Sequence, residues 1–180
     1  MDDINNIMQV FYDKLNTEVA VLTQMHKNRL ICKKGCFQCC VSGITLYEAE
    51  AYIILIRNFE FFTYQIPNRQ GTNCTLLDSE GACRIYAARP YVCRSQGLPL
   101  RRTDMELLLE YRDICPLNDT GIPIEQLPQN ECLDTDIYDK ILALLQIKLD
   151  HNAPRVPLEN LFYTSTQEYL LHKYGAKTNI

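Results

Sequence analysis

Four cysteines stand within nine residues of this chain, at Cys32, Cys36, Cys39 and Cys40, in a stretch that also holds Lys33, Lys34 and Gly35. Small side chains in such a turn bury little apolar area, so core packing gives no reason for their density. The Cys36-x2-Cys39 spacing puts two thiolates on one tight turn, where both reach a single tetrahedral ion. Adjacent residues on an extended backbone point to opposite faces, so Cys39 and Cys40 are expected to serve different ions, or one to ligate while the other supports. Further along come Cys74-x8-Cys83-x9-Cys93, then Cys115 and Cys132. The first eight thiols suit two four-coordinate sites, or one cluster with four ligands and spare thiols.

A disulfide framework is the weaker account. The cysteine count is odd, and 180 residues are enough for a core without staples. The start Met1-Asp2-Asp3-Ile4-Asn5-Asn6 has no basic region followed by an apolar stretch. The expected compartment is therefore the cytoplasm, where thiols stay reduced. No apolar run approaches the roughly 18 residues of a membrane span. A pI near 5.4 and a net charge of -4 argue against a nucleic-acid surface.

Charge around the cysteines is one-sided. Between Gln24 and Thr45 there is no acid, only Lys27, Arg29, Lys33 and Lys34. Between Gly81 and Thr103 there is again none, against Arg84, Arg89, Arg94, Arg101 and Arg102. Cations beside thiols favour the thiolate, which is the metal-binding form. Eight thiolates around two divalent ions would carry about -4, which these side chains would balance.

Hydrophobic periodicity predicts an amphipathic helix over 3–30, with Ile4, Ile7, Met8, Phe11, Leu15, Val19, Leu22 and Met25 on one stripe. Thr45-x2-Glu48 reads as a capping box opening a helix through about Phe59, and Pro67 ends the apolar tail that follows. Two hairpins are expected: 74–77 with 82–85 through Asp78–Gly81, and 98–102 with 106–111 turning at Thr103-Asp104. A helix over 134–149, with Asp136 as cap, should bury Ile137, Ile141, Leu144, Leu145 and Leu149. A last helix over 158–174 should pack Leu161, Leu170, Leu171 and Tyr174. Five of the seven glycines lie between 35 and 97, where tight turns would gather the thiols. The expected fold class is mainly α with small β-hairpins, a helical scaffold around a cysteine-rich, turn-rich metal-binding centre. We expect one domain over 1–180: an N-terminal helix (1–31), the cysteine-cluster region (32–117) and C-terminal helices (118–180).

The string Cys83-Arg-Ile-Tyr86-Ala-Ala-Arg89-Pro90-Tyr-Val-Cys93-Arg94, with Cys32–Cys40, Cys74, Gly97-Leu-Pro-Leu and Cys115-Pro-Leu-Asn, resembles the YkgJ-type cysteine-cluster family. That family is named for a C-x2-C-x2-C-C signature and is described as zinc- or iron-chelating. The resemblance covers about 32–149. It implies a metal ion as partner, zinc or iron, held by Cys32, Cys36, Cys39, Cys40, Cys74, Cys83, Cys93 and Cys115. Here the first gap has three residues, not two, which leaves Cys32 the ligand least specified by the signature. Cys132 matches no motif and reads as a core or free thiol. Within the string, Arg89 is expected to bond carbonyls or thiolates, Tyr86 to pack its ring under the site, and Arg94 to contact a bound anion.

The same domain occurs in flagellin lysine N-methylase. Two rivals to simple chelation follow: an iron-sulfur or metal-dependent enzyme acting by methyl transfer or redox chemistry on a protein substrate, and an interaction module stapled by zinc. S-adenosylmethionine enters only through that analogy, since the chain has neither G-x-G-x-x-G nor a P-loop. Whether the chain is an enzyme stays open at this point. His26, His151 and His172 lie outside the motifs and read as surface or helix-end residues. Asp104, Glu106, Glu110 and Asp113 read as a solvated acidic face.

Overall fold

Apolar residues at three- and four-residue spacing give the first helix its buried stripe. Ile4, Met8, Phe11, Leu15 and Leu22 are buried on α1 (Ile4–Met25), joined by Tyr12. The computed structural model describes residues 4–33, 35–68, 71 and 73–175. Asp3, where the helix was expected to begin, and Lys34 lie outside them. α1 ends short of residue 30 because the chain turns on His26, whose carbonyl accepts the N–H groups of both Arg29 and Leu30. Met25 is exposed, and His26 and Arg29 are buried instead.

The remaining helices are α2 (Glu48–Arg57), α3 (Phe59–Tyr64), α4 (Tyr91–Ser95), α5 (Thr135–Asp150) and α6 (Thr164–Leu170). The strands are β1 (Thr45–Leu46), β2 (Leu100–Asp104), β3 (Leu109–Asp113), β4 (Leu133–Asp134) and β5 (Val156–Pro157). The fold is mainly α with small sheets, as expected. The described residues form two compact units, one from those within 4–11, 35–90 and 142–175, the other from 12–33 and 91–141.

In the first unit, β1 pairs antiparallel with β5, Thr45 opposite Pro157 and Leu46 opposite Val156. The capping box does not form, and Tyr47 precedes α2 without a side-chain cap. The Glu48 carboxylate is fully buried and already committed: Tyr169 Oη (2.8 Å), Tyr174 Oη (2.8 Å) and Lys173 Nζ (2.5 Å) all donate to it. Lys173 also reaches Asp150 at 2.7 Å, and Gln146 accepts from Ala49 N–H. The expected last helix is three pieces: a 3-10 stretch Leu158–Phe162, α6, and a wider turn Leu171–Gly175. Leu161, Leu170 and Tyr174 are buried as read from sequence.

The first hairpin keeps its turn but not its strands. Gly81 has φ +79°, Asp78 N–H donates to Ala82 O, and a single bridge joins Leu77 and Cys83. Side chains take the carbonyls a longer ladder would use. Arg84 Nη2 donates to Thr75 O (2.8 Å) and Ile66 O (3.0 Å), and Asn68 Nδ2 to Leu77 O (3.0 Å).

In the second unit the sheet order is β3-β2-β4, with β2 antiparallel to β3 and parallel to β4. The hairpin turns at 105–108 rather than at Thr103-Asp104, because Asp104 Oδ1 accepts the N–H groups of Glu106 and Leu107 and closes the strand pair. Glu110 is not a solvated acid: it pairs with Arg112 (2.6 Å) and Arg101 (3.6 Å). The Asp136 carboxylate accepts Thr103 N–H, so Asp134 takes the capping position and accepts Asp136 N–H. The buried side of α5 carries Tyr138, Leu142, Leu145 and Gln146, whereas Ile137 and Leu144 are exposed. The expected stripe is rotated because Tyr138 donates to Glu18 and Gln146 is likewise satisfied, which lets polar side chains be buried.

Candidate metal centre

All nine cysteines are thiols rather than cystines. Five belong to the first unit. Cys40 N–H donates to Phe37 O at 2.9 Å and Val41 N–H to Cys39 O at 3.1 Å, which curls Cys36–Cys40 into a tight turn. Cys74 N–H then donates to Cys40 O at 2.9 Å, and a bridge pairs Val41 with Asn73. Phe37 and Gly81 lie so close that a Cβ on Gly81 would fall 2.4 Å from Phe37 Cδ1. The turn carrying Cys36, Cys39 and Cys40 is thus fastened to the segments carrying Cys74 and Cys83.

Electrostatics divide these thiols. A hydrogen bond from the Cys40 side chain lowers the Cys39 pKa to about 6, against the opposing effect of burial and with help from the Arg89 charge. Burial pushes Cys74 and Cys83 above the ordinary thiol value; a backbone hydrogen bond to each counters it first, then Arg84 at Cys74, and Arg89 with Arg84 at Cys83. Arg89 lies 3.7 Å from the Tyr86 ring centroid, and its Nε donates to Tyr86 O at 3.1 Å. The Tyr86 ring, expected beneath the site, is 43% exposed and forms a platform for that guanidinium.

The second unit holds Cys32, Cys93, Cys115 and Cys132. Cys93 sits on α4 and Cys115 heads the turn Pro116–Asn118. Arg94, read as an anion contact, donates to Asn16 Oδ1 at 3.0 Å and lies 4.6 Å from the Tyr12 ring centroid. Cys132 is buried in an apolar cluster with Ile114, Ile124 and Leu127, and burial raises its pKa. His26 stands at the end of α1, as one half of its reading has it, but is buried and not at the surface, its Nε2 2.7 Å from Glu131 O. His151 and His172 are exposed.

Asn118 is the residue that motif reading passed over, although it ends the quoted Cys115-Pro-Leu-Asn string. It is fully buried, and its Nδ2 donates to Cys32 Sγ (3.1 Å) and to Gly97 O (2.7 Å). Among the described residues, no group of three or more His, Cys, Asp or Glu side chains stands ready to hold a metal ion. The donor set fits zinc or iron in kind: soft sulfur ligands, with Cys39 already a thiolate at neutral pH.

No helix of the described residues is long and apolar enough to cross a membrane. Residues 31–116 match the model of the CxxCxxCC family, described as "Putative zinc- or iron-chelating domain". Neither a curated protein nor a solved structure matches the chain.

Proposed function

We propose, because residues 31–116 match the CxxCxxCC family model, that the protein chelates zinc or iron through Cys32, Cys36, Cys39, Cys40, Cys74, Cys83, Cys93 and Cys115. The observation that carries this reading is that all eight of those residues fall inside the family match and all are thiols. A bound ion would supply the positive charge that lets several thiolates share a small volume. The chain's own contribution is to hold sulfurs on tight turns, to set Arg84 and Arg89 beside them, and to keep Cys132 apart in an apolar cluster. Zinc suits closed sites of four thiolates; iron suits the same ligands as a cluster. A cytoplasmic setting would keep such thiols reduced and free to bind metal.

A second reading, an iron-sulfur or metal-dependent enzyme acting on a protein lysine, draws on one feature. Cys74 borders an open pocket of about 200 Å³ that Asp78 and Glu80 also line. Two acids beside a metal-ligating thiol favour a cationic substrate side chain.

Metal content and absorption of the anaerobically purified chain test both. Colourless protein with bound zinc supports simple chelation; a brown protein with a visible charge-transfer band supports the iron-sulfur reading. Cys36→Ser and Cys93→Ser should each release metal, and Cys132→Ser should keep it. A wild-type chain with no bound metal, or a Cys132→Ser variant stripped of it, rejects the assignment.

A further inference from the structure

We propose that Asn118 is the positioning residue that makes Cys32 a metal ligand, an inference that rests on the chelation reading above. Its orientation is set by two obligate partners. Oδ1 accepts the backbone N–H of Ile31 at 3.0 Å, and Nδ2 donates to the carbonyl of Gly97 at 2.7 Å. A flipped amide would set oxygen against oxygen and nitrogen against N–H, so the remaining Nδ2 proton faces Cys32 Sγ at 3.1 Å. Sulfur accepts that bond best as thiolate, the form that binds metal.

The same residue ties three cysteine-bearing segments together. Its side chain holds Ile31 and Cys32 on one side and Gly97, just beyond Cys93 on the chain, on another; its own N–H donates to Cys115 O at 2.7 Å. Gly97 completes the seat. With φ +96° it occupies the left-handed region, and a Cβ there would stand 2.8 Å from Cys32 Sγ. The longer gap between Cys32 and Cys36 therefore does not leave Cys32 without support. A buried amide, supplied 86 positions away, aims its sulfur.

The test uses the full chain with cobalt(II) as the probe, reading the thiolate-to-cobalt charge-transfer band. Asn118→Asp and Asn118→Ala are measured alone and in a Cys32→Ser background, with helical circular dichroism as the fold control. Each is expected to weaken cobalt binding by about 10- to 100-fold and to shift the band. In the Cys32→Ser background the same changes should cost nothing further. An equal loss in both backgrounds, or no loss in either, overturns the proposal. A wild-type chain that binds no cobalt rejects the chelation reading itself and this inference with it. If the variants do not fold, cadmium-113 bound to the wild-type chain decides: scalar coupling from the Asn118 side-chain amide proton to the metal is expected, and its absence overturns the assignment.

Discussion

Cys39, with a pKa of about 6, is a thiolate at neutral pH, and it owes that first to the Cys40 hydrogen bond, then to a backbone hydrogen bond and last to the Arg89 charge. Burial sends Cys74 and Cys83 the other way. Alkylation of the metal-free chain at pH 7 should therefore label Cys39 well before Cys74 and Cys83, read by peptide mass spectrometry. Its rate should be half-maximal near pH 6, and Cys40→Ala should move that point up toward 9. Since the folded value lies below the ordinary one, Cys39 stabilises the fold fully above pH 9 and loses that contribution as pH falls through about 6. Equal labelling of all three thiols would contradict the hydrogen bond as the cause.

At the scale of elements, one buried carboxylate holds the first turn of α2 to α6 and to the turn that follows it. Glu48 has no exposure, and Lys173, its ionic partner, is 19% exposed and keeps Asp150 as a second acid. Removing one member of such a pair leaves the other under-compensated, so Glu48→Gln should destabilise the fold by about 3 kcal/mol in urea denaturation. Burial, with the Glu48 hydrogen bond added, raises Tyr174 to about 12, and Lys173 is raised as well because Asp150 and Glu48 outweigh the effect of its own burial. A raised folded pKa stabilises fully below the unfolded value and is lost above it. Stability should hold to pH 10 and fall as pH passes through about 12. Denaturation midpoints that stay level across that window would contradict the network.

For the whole molecule, thiols are distributed over both units, five in one and four in the other, with Cys132 set apart in an apolar cluster. Metal that binds the folded chain and not the unfolded one must stabilise it. At a free zinc concentration of 100 times Kd the gain is about 2.7 kcal/mol for each site. Calorimetry should therefore show a rise in Tm on adding zinc, reversed by a chelator, for the wild-type chain. Cys132→Ser should show the same rise. A Tm indifferent to zinc and iron would remove the ground for reading the cysteines as ligands.

The cysteine spacing and the stripe of α1 were legible in the linear chain because both are local: an i, i+3, i+4 repeat needs no knowledge of what it packs against. The same holds for the turn at Asp78–Gly81, where an acid and a glycine carry their own conformational preference. The buried face of α5 was not legible. Tyr138 and Gln146 can be buried only because partners 120 and 97 positions away accept and donate their hydrogen bonds. Thr45 likewise reads as a cap until β5 arrives to pair with it. Asn118 follows the same rule: its residue type says nothing of a sulfur 86 positions earlier. Composition and spacing determined that this chain is rich in thiols and in helices. Which polar groups could leave water, and so that the Cys32 sulfur is held by Asn118, was decided by long-range contacts, because a buried donor is tolerable only where the folded chain supplies its acceptor.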